Sequence, residues 1–407
     1  MKSQKTLWIL LVAGFCFWSG LAITLPTLPL YIQSLGGTPH QVGIVMGGFA
    51  IGLIASRAWL GKLADRNGRK RVLLIGLGVA VLAPLTYLLD FFFFHSLPLM
   101  FTLRGIHGIS IAAFTTGYVA LIVDIAPPEH RGQILGYTSL VHPMGVALGP
   151  SLGSWLEAEA GHGWVFLAAT VFGLAGLVCV LYVRECPPSS AQAENSGLFW
   201  RLLGAGRLRI PTLVMLLVGL AFGTLSTFVP LFIKAENIDF SPGLFYSAAA
   251  LASFIGRVAT GSASDRWGRG VFISLSLLFY TASMVGLSQA QTGVDLLVAG
   301  FLEGFGGGVL IPMMSALMAD RSQPDERGRV LSLTMGGFDF GIAIAGPIIG
   351  ALAADWGLRT LFACGGGFTI LALGLFFSGS GLKVADSCRF AVGRGPDPYA
   401  VPMPVEN

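Results

Sequence analysis

Twelve stretches of this chain stay apolar for about twenty residues, the length at which an α-helix crosses ~30 Å of hydrocarbon. They are 6–31, 41–64, 72–94, 97–123, 133–156, 163–183, 211–233, 243–264, 271–290, 294–319, 329–354 and 358–380. So many runs exclude an ordinary soluble domain. With 54% hydrophobic residues and a mean hydropathy of +0.74, the chain reads as an all-α membrane protein of twelve transmembrane helices. The first run follows Lys2 and Lys5 as a secretory leader would. It is too long for one and meets no small-x-small cleavage site, so it reads as a retained span.

Charge placement orients these spans. All Lys and Arg except Lys234, Arg359 and the intraspan Arg57, Arg104 and Arg257 fall in the termini and in alternate loops, five of them within "GKLADRNGRKR" at 61–71. By the positive-inside rule both termini are expected in the cytoplasm, the protein lying in the cytoplasmic membrane. The net charge of +4 is thereby explained by topology, and no nucleic-acid partner is implied. Five cysteines with no CxxC imply neither a disulfide framework nor a metal site. "GGG" at 306–308 lies inside an apolar run with no phosphate-loop lysine, and no nucleophile elbow is present. An enzyme, a cofactor and an ATP-driven pump are not expected.

The chain repeats itself. Arg57, Gly61, Asp65, Arg66, Gly68 and Arg69 recur as Arg257, Gly261, Asp265, Arg266, Gly268 and Arg269. "PLYI" at 29–32 recurs as "PLFI" at 230–233, and "HRGQILG" after Asp124 is echoed by "ERGRVLS" after Asp320. "LGPSLG" at 148–153 has its partner in "AGPIIG" at 345–350. A six-span unit is therefore used twice in the same orientation, an architecture of transporters with a site between the halves. The expected organisation is two pseudo-symmetric six-helix bundles, 1–183 and 211–380. They are joined by a cytoplasmic linker, 184–210, whose "LFWRLLGAGRLR" could form an amphipathic helix or a basic tether. The Pro-rich tail 381–407 is expected to be disordered.

On these residues the chain resembles the major facilitator superfamily, through all twelve spans. "GKLADRNGRKR" is similar to the superfamily's signature between spans 2 and 3. "LPTLPLYI" and Gly145-x3-Gly149-Pro150-x2-Gly153 in span 5 resemble the twelve-span proton-coupled drug and metabolite efflux branch, where the latter is the antiporter motif. Ser154 departs from it, standing where a second glycine is usual. Arg104-x2-His107-Gly108 is similar to that branch's R-x-x-Q-G, with His at the Gln position.

The resemblance implies alternating access by rocking halves, with the 61–71 signature and its repeat as an inner gate. Asp65 is expected to accept amides of a neighbouring helix N-terminus. Gly68 permits the turn, and Arg66 and Arg69 reach for carboxylates such as Asp124 and Asp320. Exposed pairs of this kind contribute only about 0–1 kcal/mol each, which suits contacts that must break. Glycines four apart allow close helix approach, and Pro150 bends the helix, so span 5 is expected to pack tightly between the halves.

Glu303 and Asp339 lie near the middle of their apolar runs, where a charge costs about 2.5–3.5 kcal/mol on insertion scales. Each could carry a proton across. By the repeat Glu303 matches His107 and Asp339 matches His142, and Arg104 shares a helix face with His107. Asp90, at the outer end of span 3, is expected to be wet, and Arg57 and Arg257 to be structural or gating residues. The resemblance makes spans 1, 4, 7 and 10 the cavity walls. That implies Phe15, Trp18, Thr24, Phe222, Thr224, Phe228 and Met314 as lining, suited to an amphiphilic or apolar small molecule.

Three readings stand at this point: proton-coupled export of small organic compounds, proton-coupled uptake of a metabolite, and a membrane sensor or assembly factor that transports nothing. The desolvation cost of Glu303 and Asp339 argues against the last. The expected partners are the lipid bilayer, a small-molecule substrate and protons, with a monomer as the default.

Overall fold

A computed structural model describes residues 2–126, 131–183, 206–260, 263–323 and 326–401, and among them every regular element is helical. Eleven helices are long and apolar enough to cross a bilayer. The remaining run, span 5, forms Arg131–Ser139 and Val141–Ala160; its glycines, prolines, serines and glutamates keep it less apolar than the rest. The linker 184–205, including most of the basic stretch, and Gly261 lie outside the described residues.

Local chemistry explains where the helices break. Span 1 is Lys2–Ala22 followed by a turn and a second helix, Leu28–Ser34. Pro26 and Pro29 supply no amide to a continuous ladder there. Span 2, Pro39–Asn67, opens on a capping box formed by Thr38 and Gln41. It ends at Gly68, whose φ of 99° turns the chain directly into span 3, Arg69–Leu89. Gly268, with φ 82°, does the same between Ala263–Trp267 and span 9, Arg269–Gln289. A side chain at either position would be strained. Spans 4, 6, 7, 8 and 10 are Leu97–Ile125, His162–Leu181, Gly206–Ala235, Pro242–Thr260 and Gly293–Asp320. Spans 11 and 12 form one helical run, Arg327–Gly379, broken at Gly357 with φ 73°.

Within the first half, span 1 packs on 5 and 6, span 3 on 4 and 6, and span 2 on 4. Within the second, span 7 packs on the 11–12 run, and spans 8 and 9 on span 10. Beside lesser contacts of span 7 with Leu28–Ser34 and span 2, two extensive pairings cross between halves: span 2 with span 11, and span 5 with span 8. They are tightest toward the face opposite the 61–71 turn. Gly43 meets Gly346 backbone to backbone, Gly47 meets Ala343 and Pro347, and Gly350 meets Pro39 and His40. On the other pairing Gly243 lies against Pro150 and Ser151.

Two expectations fail here. Asp90 is not wet but fully buried. A π turn, Asp90–Phe94, closes span 3, and the carboxylate accepts from Tyr31 Oη at 2.9 Å and the Ser96 amide at 3.1 Å, while Phe92, Phe93 and Phe94 are exposed. The tail is not disordered over its described part. Residues Val384–Ala391 form a helix, and Asp397 grips the fully buried Arg321 with two hydrogen bonds, at 2.7 and 2.8 Å. Arg321 also donates to the Ser380 and Arg207 carbonyls and lies over the rings of Phe390 and Tyr399. A buried guanidinium needs such a set of acceptors, and among the described residues it is the tail that provides the carboxylate.

Candidate functional site

Between the halves lies a cavity of about 340 Å³, bounded on the far face by the span 2–11 and 5–8 contacts and walled largely by apolar and aromatic side chains. Trp18, Phe49, Phe222, Tyr246, Tyr280 and Phe338 supply its aromatic rings; Arg104, His142, Arg257, Glu303 and Asp339 are its basic and acidic members. Of the seven wall residues expected, Trp18 and Phe222 are there. Thr24 and Thr224 instead turn inward and donate to the carbonyls of Leu21 and Leu220. Phe228 and Met314 are fully buried in the core of the second half. Phe15 is half-buried away from the cavity.

The repeat-related groups occupy matching places with different chemistry. Glu303, 7% exposed, accepts from Tyr280 Oη at 2.9 Å and has no cation paired with it among the described residues. In the first half His107 takes the same place, and its Nδ1 lies 3.0 Å from Tyr87 Oη and 3.4 Å from Arg104 Nη1. Facing two donors, Nδ1 accepts, which assigns the ring hydrogen to Nε2. His107 stands behind Arg104 and outside the cavity lining. Arg104 itself lies over the Phe49 ring, 4.3 Å from its centroid. Tyr87 and Tyr280 were not singled out from the sequence. At the repeat's shift of 200 between spans 3 and 9, Tyr87 matches Leu287 and Tyr280 matches Ala80, so the repeat carried no signal for them; the two hydroxyls reach matching partners from places two turns apart.

The second pair of matched positions bridges the halves. Arg57 of span 2 reaches across to Asp339 of span 11, with Nη1 and Oδ2 2.8 Å apart; the approach is that of an ion pair, short of an aligned hydrogen bond at that oxygen. Its counterpart Arg257 of span 8 reaches toward span 5, 3.5 Å from the Ser139 carbonyl and one turn from His142. His142 meets Trp18 edge-on at 4.3 Å.

A family model described as Major Facilitator Superfamily matches residues 10–294 and again 243–383. The chain belongs to this superfamily. It is similar to Multidrug resistance protein MdtG of Enterobacter lignolyticus, 31% identical over 85% of this chain and 86% of that one. To MdtG of Escherichia coli O1:K1 it is 30% identical, over 85% and 88%. Among solved structures, the nucleoside transporter NupG superposes with a TM-score of 0.75 at 16% identity, covering 90% of this chain and 98% of that one. A bacterial homologue of the human lysosomal transporter Spinster superposes at 0.74 and 15% identity, covering 97% and 99%. The protein is thus an integral membrane transporter, not an enzyme.

As a member of the superfamily, the chain places its signature pairs within halves. Arg69 Nε lies 3.0 Å from Asp124 Oδ2 and its Nη1 3.5 Å from Asp65 Oδ1, while Arg269 pairs with Asp320. Asp65 is half exposed and meets Arg69 one turn on, rather than the helix N-terminus expected for it. Gly61 has open space beside it, and Arg66 and Arg266 are exposed. Of Asp265 only the helical backbone is described.

The antiporter motif also differs from expectation. Gly145, Gly149 and Gly153 form one stripe, but it packs on span 1, against Trp18, Ser19, Ala22 and Ile23, inside the first half. The neighbouring stripe faces the other half. Ser154, the departure from the motif, accepts the Gly243 amide across the interface at 2.9 Å. One neutral hydrogen bond contributes about 1 kcal/mol. Ser154→Ala is therefore expected to shift the balance between open and closed far face about fivefold. Spin-label distances between spans 5 and 8 read that shift, and an unchanged distribution would assign the bond no part in closure.

Proposed function

We propose that this transporter exports small amphiphilic organic compounds from the cytoplasm in exchange for protons, by rocking its two halves about the central cavity. The observation that carries the reading is an aromatic-walled cavity with buried carboxyls in its lining, sealed at one end only by contacts between halves. The Lys/Arg bias favours a cytoplasmic location for the 61–71 turn and both termini, in the cytoplasmic membrane. The sealed end is then the outer one and the arrangement inward-facing. The relatives' name, multidrug resistance protein, supports efflux.

In this cycle Glu303 takes up the proton. Its partner is a hydroxyl, so the site accommodates a neutral carboxyl without leaving a cation unpaired. Asp339 with Arg57, and His142 beside Arg257, sit where spans of opposite halves must move against each other. Asp65, Arg69 and Asp124, with Arg269 and Asp320, brace the inner ends of each half by pairs weak enough to rearrange. Gly68 and Gly268 hold the turns.

Inside-out vesicles with an acidified lumen test the reading. Transported compounds are expected to accumulate in the lumen and to partly collapse the pH gradient. Accumulation in right-side-out vesicles with an acidic exterior would instead establish proton-coupled uptake.

A further inference from the structure

The cavity's charges do not cancel. Asp339 is paired with Arg57 and Glu303 with a hydroxyl, which leaves two guanidiniums in the wall, Arg104 and Arg257, with no carboxylate partner among the described residues. Arg104 is 6% exposed, and its Nε has no hydrogen-bond partner. Its polar neighbours are His107 and the Tyr87 hydroxyl, neither of them a carboxylate, and the Phe49 ring lies beneath it. Arg257 Nε is likewise unpartnered, and its one hydrogen bond among the described residues is the long one to Ser139. Arg321, as deeply buried, has a two-point carboxylate and two further carbonyls.

Arginine stays charged in any protein environment, and a buried cation without a counter-charge is costly unless something supplies one. We propose that the substrate supplies it: this cavity takes amphiphilic organic anions, with a carboxylate, sulfonate or phosphate ester head on Arg104 and an apolar body against Trp18, Phe222 and Phe338. Position along the spans gives the two arginines an order. Arg104 lies in the first third of span 4, toward the sealed face, while Arg257 lies near the end of span 8, toward the 61–71 face. An anion entering from that side meets Arg257 first and Arg104 last, a field gradient that draws the head inward. Planar guanidinium forks suit oxyanions with two oxygens to offer. A cavity of about 340 Å³ admits a single-ring or two-ring compound and is too small for a two-chain lipid.

The inference rests on the cavity being the transport site, but not on the direction of transport or on proton coupling. Its test is a ranking of three probes with one ring system, naphthoate, naphthylmethanol and naphthylmethylammonium, by calorimetry on the purified full chain in neutral detergent. Naphthoate is expected to bind at least about tenfold tighter than the alcohol, with the ammonium weakest. Arg104→Gln should remove most of the naphthoate advantage while leaving the alcohol unchanged. Arg257→Gln should reduce the sensitivity of naphthoate association to salt. If Arg104→Gln does not fold, the wild-type ranking decides alone. An ammonium that binds as tightly as the carboxylate, or a ranking that survives Arg104→Gln, overturns the proposal. Anion preference without outward flux overturns the export reading only. Proton-driven export confined to cationic compounds overturns the anion proposal and leaves the export reading standing.

Discussion

Glu303→Gln is expected to abolish proton-driven accumulation while leaving substrate exchange intact. The amide keeps the volume of the carboxyl, and its carbonyl can still accept from Tyr280 Oη, 2.9 Å away in the wild type, so packing between spans 9 and 10 survives. What disappears is the capacity to take up and release a proton. One proton crossing ~100 mV gains about 2.3 kcal/mol, enough for roughly a fiftyfold substrate gradient at full coupling. The variant should support no gradient at all, yet still exchange labelled for unlabelled substrate across proteoliposomes at a rate within a few-fold of wild type. That split separates coupling from folding and from binding. If the variant accumulates substrate as the wild type does, Glu303 leaves the mechanism and Asp339 becomes the remaining carboxyl in the cavity wall. Asp339 is already engaged by Arg57 across the halves, so its neutralisation should show first in which face is open.

The span pattern and the duplication were legible because both are written in local composition: apolar length, turn glycines and repeated charges. The signature pairs followed from the same source, since Arg69 with Asp124 and Arg269 with Asp320 are opposite charges at adjoining helix ends. The cavity lining was not legible. Spans 7 and 10 are apolar nearly all round, so nothing in the order of residues tells Phe222, which faces the cavity, from Phe228, which is packed in the core. The glycine stripe failed for a related reason. Four-residue spacing shows that some helix comes close, but whether it is span 1 or span 8 depends on rotation, and Ser154 on the adjoining stripe proved to be the residue that meets the other half. Polar partners far apart in the chain were also out of reach. Asp90 is satisfied by Tyr31 from 59 residues earlier, and the tail is held because Arg321 finds Asp397, 76 residues on. Proline content argued for disorder in that tail, and one buried cation overrode it.

Oxidation of a Ser151→Cys/Ser247→Cys double variant is expected to stop transport by more than about tenfold, with full recovery on reduction. The two hydroxyl oxygens are 2.8 Å apart, on spans 5 and 8 in opposite halves, and Ser247 also donates to the Ala147 carbonyl of span 5. Side chains that close can be bridged by a disulfide with little backbone movement. The bridge lies in the seal toward the far face, so a locked chain can bind from the 61–71 side but cannot release on the other. Noncovalent contacts there leave the equilibrium poised; a covalent bond moves it almost wholly to one state, and the open population needed for turnover is lost. Binding measured in detergent should be unaffected, which distinguishes a lock from a damaged cavity. Wild-type protein treated with the same oxidant controls for its five native cysteines, of which Cys16, Cys179, Cys364 and Cys388, those among the described residues, are unpaired. Full flux through a chain whose bridge is verified by mass spectrometry would mean that spans 5 and 8 never part, and the substrate path would have to leave the cavity elsewhere.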